Sequence, residues 1–330
     1  MSNSDIKTVL VTGANGFVGS RLCRQLIADN FRPIAGIRRG CNTSLIEEFQ
    51  LECRYGDVTQ PESLPAMVRE VDFIIHNAGL VKAHSPEQFY KVNVEGTRNI
   101  LEAALTNSRL RKFILISSMA AAGPSRRGQP LTEELPTAPI TEYGRSKAGA
   151  EKMVLAYRDK VNSVIIRPPG IYGPGDIEMF AFFQILNNRI CPYLGDWNRR
   201  LQLVYVDDLC AGVSLALTSE TRSGATYFIA EDRSYRYAEL ITHLRRAVGR
   251  VALPVYLPGV AVRIIAFLSE NMLRLVGKPP MFTVEKANEI LSDWEVSVEK
   301  AAKELGYRSQ TPFPVGAQNT IHWYREEGWL

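Results

Sequence analysis

Six short apolar segments recur through the first half of the chain, and polar or helix-forming stretches separate them. They cover residues 7–11, 32–37, 51–55, 71–75, 112–116 and 163–167. Between the first two, Leu22, Leu26 and Ile27 share one face of a helix that begins at Phe17. Strands that alternate with helices predict an α/β fold, in which helices cover both faces of a parallel sheet.

The turn after the first strand is rich in glycine. It reads T-G-A-N-G-F-V-G over residues 12–19, with the spacing G-x-x-G-x-x-G. Such glycines allow a tight turn and a close approach of pyrophosphate to backbone N–H groups at a helix N-terminus. An ordinary strand–turn–helix is the alternative, but the context favours a doubly wound Rossmann sheet that binds a dinucleotide. The expected cofactor contacts of this turn are Gly13, Asn15, Gly16, Phe17, Val18 and Gly19.

The second strand ends in Arg38 and Arg39, where a dinucleotide fold distinguishes a ribose hydroxyl from a ribose phosphate. Arginine pairs with the 2′-phosphate of NADP, so the sequence favours NADP(H), with NAD(H) as the other possibility. A solvated basic loop is the alternative. Asp57 and Val58 follow the third strand and are expected near the adenine, although Asp57 could instead be the N-cap of the next helix.

Small or polar residues follow the fourth and fifth strands, at the sheet edge where open α/β folds bind ligands. Asn77, Ala78 and Gly79 leave room for a cofactor. His76, just before them, is interpreted as a buried, hydrogen-bonded histidine rather than a catalytic one. Ser117 and Ser118 end the fifth strand, and one of them could polarise a carbonyl.

Tyr143 and Lys147 form a Tyr-x-x-x-Lys pair on a predicted helix. A carbonyl that accepts hydride must also receive a proton, and a phenol can deliver it. An ammonium one helical turn away favours the phenolate, which would hold the phenol near its reactive pKa. An exposed i,i+4 pair is the alternative. Together with the glycine turn, the pair indicates a nicotinamide enzyme.

These segments, in this order, resemble the extended short-chain dehydrogenase/reductase superfamily over most of the chain, nearest to its dihydroflavonol reductase and 3β-hydroxysteroid dehydrogenase branch. The superfamily also includes nucleotide-sugar epimerases and dehydratases. The matching motifs are T-G-A-N-G-F-V-G at 12–19, G-D-V at 56–58, H-N-A-G at 76–79, N-V-E-G-T at 93–97, I-S-S at 116–118, Y-G-R-S-K at 143–147, R-P-P-G-I-Y-G-P-G-D at 167–176 and Y-V-D-D-L at 205–209.

The resemblance implies roles for particular residues. Tyr143 would be the general acid/base, and Lys147 would activate it and hold the nicotinamide ribose. Ser118, rather than its neighbour Ser117, would donate to the substrate oxygen, and Asn93 would steady the helix that carries the proton route. A turn comprising Pro168, Gly170 and Ile171 would present backbone to the nicotinamide carboxamide.

Two departures from the superfamily bear on the reaction. Many nucleotide-sugar enzymes carry an arginine four positions before the aromatic residue of the Y-V-D-D-L motif, and here Leu201 occupies that position, with Arg199 and Arg200 nearby. Dehydratases usually place an acidic pair directly after the catalytic Ser or Thr, and here Met119 and Ala120 follow. We therefore expect an oxidoreductase that acts on a hydrophobic ketone or secondary alcohol. A nucleotide-sugar epimerase/dehydratase with tightly bound NAD(P) and a non-catalytic NADP-binding protein are the alternatives.

The domain interpretation places a nucleotide-binding domain at 1–169 and a segment of a smaller substrate-binding lobe at 170–204. The chain then returns to the nucleotide-binding domain at 205–250 and completes the C-terminal lobe at 251–330. With 330 residues, of which 45% are hydrophobic, the chain can bury a large core.

Composition narrows the class of partners. The formal net charge is +4 without a long basic run, so we expect a small-molecule substrate and no nucleic acid. The five cysteines show no close pairing, which predicts neither disulfides nor a metal site and favours the cytoplasm. The polar N-terminus does not resemble a signal peptide. The superfamily's habit implies a homodimer through helices at 84–106 and 142–158.

A stretch at 260–275 carries apolar residues at helical spacing, interrupted by Arg263, Glu270 and Arg274. It is too short and too charged to be a transmembrane segment. Three interpretations stay open: a helix packed on the lobe, an apolar lid over the substrate, and a peripheral membrane contact.

Overall fold

The computed structural model describes residues 6–275 and 282–330. The first part of the chain contains β1 (Thr8–Thr12), α1 (Phe17–Ala28), β2 (Arg32–Ile37), β3 (Glu52–Tyr55), α2 (Leu64–Val68), β4 (Phe73–His76), α3 (Pro86–Phe89), a π-helix (Tyr90–Glu95), α4 (Gly96–Ala104), β5 (Lys112–Ile116), α5 (Met119–Ala122), α6 (Glu142–Tyr157) and β6 (Ser163–Arg167). Single 3₁₀ turns lie at Glu47–Phe49 and Pro61–Ser63.

The remainder contains β7 (Gly170–Tyr172), α7 (Phe180–Asn187), β8 (Ile190–Leu194), β9 (Arg200–Leu201), β10 (Leu203–Tyr205), α8 (Val206–Thr218), β11 (Ala225–Phe228), β12 (Tyr235–Arg236), α9 (Tyr237–Val248), β13 (Leu253–Leu257), α10 (Gly259–Leu275), α11 (Val284–Leu291), α12 (Glu299–Leu305) and α13 (Phe313–Glu326).

A seven-stranded sheet runs in the order β11-β6-β5-β4-β1-β2-β3, and each of its neighbouring pairs is parallel. The chain builds β2 and β3 on one side of β1 and then crosses to β4 on the other side. The strand order therefore reverses between β1 and β4, which is where a doubly wound sheet binds its ligand. This confirms the predicted α/β Rossmann fold.

Successive side chains of the central strands pack into different layers. Val9 and Val11 of β1 join one core cluster together with Leu22 and Leu26 of α1. Leu10 points to the opposite face and packs in a second cluster with residues of α2, α4 and α6. Because the strands are buried on both faces, they are almost continuously apolar in sequence, which is why they could be recognised there.

A third core cluster holds the smaller lobe together. It is aromatic, and includes Tyr172, Phe183, Tyr237, Phe313 and Tyr324. The segment 205–250, which was predicted to return to the nucleotide-binding domain, contributes elements both to that domain and to the smaller lobe. Within it α8 packs on α1 and β11 joins the large sheet, whereas α9 packs on α7 and α13 in the lobe. In turn α12, from the segment assigned to the lobe, packs on α8 and β11.

Helix α10 lies on α11 beside the two-stranded parallel ladder of β8 and β13. Its buried residues Val262 and Ala266 contact a small apolar cluster that includes Ala287 of α11. Among the residues that the structure describes, no helix combines the length and the apolar character needed to cross a membrane.

Candidate active site

The glycine turn between β1 and α1 is closed so tightly that side chains are excluded. Gly13 has a φ of +67°, and a Cβ at Gly19 would lie 2.1 Å from the carbonyl oxygen of Gly13. The Gly13 N–H donates to Gly36 O over 2.9 Å, and Gly16 precedes the first residue of α1. The first N–H groups of α1 lack intrahelical partners, so the turn fits a pyrophosphate. Phe17, Val18 and Asn15 lie on it half-buried.

Thr12 joins the ends of β1 and β4 beside this turn. Its hydroxyl oxygen accepts from the backbone N–H groups of Asn77 and Ala78, over 3.2 and 3.1 Å. The Asn77 amide donates to Gly13 O over 3.4 Å. A Cβ at Gly79 would come 3.1 Å from Asn93 Oδ1 and 3.9 Å from Lys147 Nζ. The predicted Asn77, Ala78 and Gly79 therefore lie between the glycine turn and the catalytic helix.

The predicted ribose-phosphate residues line a cleft of about 440 Å³ at the ends of β2 and β3. Arg38, Arg39, Tyr55 and Asp57 contribute to its walls. The guanidinium of Arg39 stacks over the Tyr55 ring, with 5.0 Å from its central carbon to the ring centroid. Both arginines are exposed, so the cleft offers positive charge to an incoming anion.

The N-cap alternative for Asp57 is wrong. One of its carboxylate oxygens accepts from the backbone N–H and the hydroxyl of Thr59, both over 2.8 Å, which forms an Asx turn. The following helix begins later, at Leu64, with Ser63 before it. Val58 is buried, and a Cβ at Gly96 would lie 2.8 Å from it.

Two adjacent serines at the end of β5 point to different surroundings. The Ser117 hydroxyl is buried and donates to Glu151 over 2.5 Å. The oxygen of Ser118 accepts from Ala120 N over 3.1 Å at the start of α5, and its side chain is hydrogen-bonded to the Tyr143 hydroxyl. Ser118 is thus the serine beside Tyr143.

Helix α6 presents Tyr143 and Lys147 to the carboxyl end of β5. Thr141 caps the helix by accepting from Gly144 N over 3.0 Å, and a Cβ at Gly144 would lie 2.4 Å from Ala120 O. Lys147 is buried, and its ammonium donates to Ile116 O over 2.6 Å. Since an ammonium has three donors, it fits the diol of a nicotinamide ribose. The Tyr143 ring lies 6.1 Å from that of Phe89.

The electrostatics of the pair differ from the expectation. Burial raises the pKa of Tyr143 to about 12, against the opposing effect of the Ser118 hydrogen bond, and the negative charge of Glu289 raises it further. Burial lowers the pKa of Lys147 to about 8, and the charge of Glu151 opposes that shift. The pKa of the phenol is therefore not held near its reactive range, because desolvation of the buried phenolate dominates and Lys147 is not among the groups that lower it.

Asn93 connects three parts of the site. It lies in the π-helix, and its side chain both accepts from Leu80 N, over 2.8 Å, and donates to Leu80 O, over 3.0 Å. The same amide donates to Ser146 Oγ on α6 over 2.9 Å. Asn93 thus ties the segment after β4 to the helix that carries Tyr143 and Lys147.

His76 is buried, and one ring nitrogen, Nδ1, is hydrogen-bonded to the Thr12 hydroxyl over 2.8 Å. The other nitrogen, Nε2, has no partner among the residues that the structure describes. Burial, and then the nearby charge of Lys147, lower the pKa of His76 to about 3. The ring is therefore neutral at ordinary pH.

Of the predicted turn from Pro168 to Ile171, only the first two residues lie outside a strand. Pro168 O accepts from Met119 N over 2.8 Å, which brings it beside the serine loop. From Gly170 onward the chain is strand β7, because Gly170 and Ile171 pair with Leu203 and Val204 of β10.

Neither arginine near Leu201 is available to bind a diphosphate in this structure. Arg199 is buried, donates to the carbonyls of Leu194 and Asp196, and stacks on the Tyr237 ring at 3.6 Å. Arg200 pairs with Glu295 over 2.6 Å and donates to the Ser234 hydroxyl over 2.7 Å.

The sequence analysis assigned no role to three residues that contact the site: Thr12, Glu151 and Glu285. Glu151 is buried between Ser117 and Arg167, and it accepts from the Arg167 guanidinium over 2.9 and 2.7 Å. Its position four residues after Lys147 on the same helix was a signal for it. Glu285 of α11 accepts from Glu142 N over 3.0 Å and pairs with Arg145, and no local pattern indicates either contact.

Comparison with known proteins agrees with this geometry. Residues 9–230 match the model of the NAD dependent epimerase/dehydratase family. The chain is 30% identical over 324 residues to a ceramide reductase of Caulobacter vibrioides, covering 98% of this chain and 96% of the relative. It is 28% identical to a sterol-4-alpha-carboxylate 3-dehydrogenase of Saccharomyces cerevisiae, covering 98% and 99% of the two chains.

Among solved structures, a dTDP-glucose 4,6-dehydratase of Streptomyces venezuelae with NAD bound is similar at a TM-score of 0.78 and 25% identity, with 98% of each chain covered. The family match, the full-length relatives and the nucleotide-binding geometry agree. The chain belongs to the NAD dependent epimerase/dehydratase family and is an NAD(P)-dependent oxidoreductase.

Proposed function

We propose that the protein reduces a ketone, or oxidises the corresponding secondary alcohol, on a hydrophobic small molecule with NADP(H). The observation that carries this proposal is the convergence at the end of β5, where the Tyr143 hydroxyl is hydrogen-bonded to Ser118 and Lys147 Nζ lies 2.6 Å from Ile116 O. A proton donor, a hydroxyl donor and a cation therefore share the sheet edge at which the family binds its cofactor.

The proposed chemistry follows from what these groups can do. A nicotinamide cofactor, when bound, supplies the hydride. Tyr143 delivers a proton to the carbonyl oxygen as charge builds up there, and it takes the proton back in the oxidation direction. The Ser118 oxygen accepts from Ala120 N, and its O–H, which faces the Tyr143 oxygen, can turn to donate to the substrate oxygen. Lys147 and Asn93 hold this arrangement in place through Ile116 and Ser146.

Three observations support a reductase that acts on a hydrophobic substrate. Arg199 and Arg200 are engaged inside the protein, so neither is free to grip a sugar diphosphate. Buried Met119 and Ala120 follow Ser118 in place of acids that could drive an elimination. The names of the relatives, a ceramide reductase and a sterol dehydrogenase, point to substrates of the same apolar kind.

The proposed preference for NADP(H) rests on Arg38. It lines the cleft beside Asp57, and its side chain has no hydrogen-bond or ion-pair partner within residues 6–275 and 282–330. A 2′-phosphate would provide that partner. Free thiols at the five cysteines support a reduced, cytoplasmic setting. A homodimer through the helices at 84–106 and 142–158 stays a prediction.

The second candidate is a nucleotide-sugar epimerase or dehydratase, which the likeness to the NAD-bound dehydratase favours. Fluorescence titration with NADPH and NADH, followed by apolar ketones and UDP- or dTDP-sugars in the same cuvette, separates the two. Net oxidation of NADPH by an apolar ketone supports the reductase. Sugar interconversion without a net change in cofactor would replace it with the second candidate.

A further inference from the structure

Helix α10 leaves most of its apolar side chains in solvent. Val262 and Ala266 are buried, on the stripe that faces α11. Six larger residues are between 47% and 67% exposed, and we call them the α10 face: Val260, Ile264, Ile265, Phe267, Leu268 and Met272. At about 100° per residue they span roughly 160° of the helix circumference, which is wide for a helix that packs against its protein on one side.

An aromatic cluster lies on the ladder of β8 and β13, from whose second strand the chain passes into α10. The Tyr193 and Tyr256 rings stack with centroids 5.0 Å apart, and Trp197 lies 5.1 Å from Tyr256. Trp197 and Tyr256 are half exposed, and Leu253 on the same strand as Tyr256 is 71% exposed. Tryptophan and tyrosine favour the boundary between water and hydrocarbon, because their rings are apolar at one end and polar at the other.

The charges around this surface are mostly basic, and Glu270, the one acid of α10, accepts from Val284 N over 3.0 Å. Residues 240–269 contain no Asp or Glu, but they contain Arg245, Arg246, Arg250 and Arg263. Arg250 and Arg263 are exposed beside the apolar residues, and each holds its guanidinium by a hydrogen bond to a neighbour, Asn187 O or Asn288 Oδ1. Such a surface complements a layer of apolar chains that is bordered by anionic groups.

This surface is also connected to the catalytic helix. α11 packs on the inner side of α10 and sends Glu285 to the backbone N–H of Glu142, one residue before Tyr143. Glu289 of the same helix is close enough to raise the pKa of Tyr143. Only one helix therefore separates the α10 face from the reacting phenol.

We propose that the α10 face docks on a lipid bilayer containing anionic lipids, and that the hydrophobic substrate reaches Tyr143 from that bilayer. The substrate part rests on the proposed function, whereas the docking does not. A second copy of the chain fits less well. In a two-fold dimer through this face the basic side chains would face their own copies, while Glu270, the one acid of α10, is already bonded to Val284 N.

The docking is tested by co-sedimentation of the full chain with vesicles of phosphatidylcholine alone or with about one third phosphatidylglycerol. Wild type should sediment with the mixed vesicles and less with the neutral ones. The double variant Ile264→Glu/Leu268→Glu should lose at least about tenfold in apparent affinity, because two apolar side chains no longer insert. Ile27→Glu/Leu215→Glu makes the same change at exposed residues of α1 and α8, outside the helices of the predicted dimer, and should bind as wild type.

Wild type that stays in the supernatant, or equal losses in both double variants, would overturn the docking. So would light scattering that finds a wild-type dimer and a monomeric Ile264→Glu/Leu268→Glu variant, because the face would then join two copies. A water-soluble ketone keeps the two proposals apart, since its reduction should be equal in all three proteins. Vesicle binding without reduction of any ketone would overturn the proposed function and leave the docking intact.

Discussion

The carboxylate of Glu285 accepts a hydrogen bond from the backbone N–H of Glu142 over 3.0 Å, across 143 positions of sequence. Its other oxygen pairs with Arg145. These two contacts join the smaller lobe to the N-terminus of the catalytic helix, where a negative charge is favourable. The position of Tyr143 relative to the lobe therefore depends on a residue of the lobe.

Replacing Glu285 by Ala should raise the KM for the ketone by roughly tenfold, as expected from losing about 1.5 kcal/mol of charge-assisted contact that holds the lobe on the site. Steady-state kinetics at saturating NADPH would measure it. Glu285→Gln keeps an acceptor for Glu142 N, so its KM should lie between that of wild type and that of Glu285→Ala. An unchanged KM in Glu285→Ala would show that this contact does not govern substrate binding.

Tyr143→Phe removes the proton donor and retains the ring. The rate of ketone reduction should fall by about 10²–10⁴-fold, the range for general acid catalysis, because the forming alkoxide receives no proton. NADPH affinity, measured by fluorescence titration, should stay near that of wild type. A large loss of NADPH affinity would place Tyr143 in the cofactor site rather than at the reacting carbonyl.

Arg38→Ala should weaken NADPH binding by about 1.5–3 kcal/mol and leave NADH binding nearly unchanged, because only NADPH carries the 2′-phosphate. Arg32→Ala is the matched control, since Arg32 is an exposed arginine at the opposite end of the same strand. Equal weakening of both cofactors in Arg38→Ala would contradict the assignment.

The pH dependence of reduction should report Lys147. Burial lowers its pKa to about 8, so the ammonium is present below that pH and is lost above it. The value of kcat/KM should therefore be level below pH 8 and fall about tenfold per unit above it. A profile that stays level through pH 10 would contradict this role.

Glu151→Gln tests the residue that opposes this shift. The negative charge of Glu151 raises the pKa of Lys147, so its removal should move the alkaline fall of kcat/KM to lower pH. Loss of the buried pair with Arg167 should also cost about 3 kcal/mol of unfolding free energy, measured by denaturant titration. Glu102→Gln, at an exposed carboxylate on α4, should change neither property. A stability loss with an unmoved pH profile would assign Glu151 a purely structural role.

His76 should make the protein sensitive to acid. Its pKa is about 3 when folded and 6.5 when exposed, so between these values the unfolded chain binds a proton that the folded chain does not. The unfolding free energy should thus fall as the pH drops below 6.5, by about 1.4 kcal/mol per unit from this group. In His76→Asn the unfolding free energy should fall less steeply with decreasing pH than in wild type. His84→Gln, at an exposed histidine, should keep the wild-type slope. Identical slopes in all three would contradict the prediction.

The large sheet could be predicted because its central strands are buried on both faces, although the edge strand β3 is largely exposed. β2, β5 and β6 occupy the predicted residues, and β1 is shifted by one residue, from 7–11 to Thr8–Thr12. Strand ends were harder, since a hydrogen-bond ladder and not hydrophobicity decides where they lie. Gly170 and Ile171 show the same limit: pairing with β10, a distant segment, makes them a strand.

The candidate catalytic residues could be named from local motifs, but their surroundings could not. The π-helix around Asn93 leaves no hydrophobic period by which to recognise it. The direction of the Tyr143 pKa depends on burial, which the spacing to Lys147 does not reveal. For the stretch at 260–275, the apolar periodicity predicted a helix, and only the fold shows that its wider face is exposed.

Ser117 and Ser118 are neighbours with the same side chain, but their hydroxyls make different contacts. The Ser117 hydroxyl is bound to a buried carboxylate, and Ser118 is bound to the phenol. Both serines follow β5, and Ser118 continues its extended backbone, in which successive side chains point to opposite sides, so the two hydroxyls meet different partners. Ser117 is therefore no replacement for Ser118 beside Tyr143, and loss of Ser118 leaves a gap that its identical neighbour does not fill.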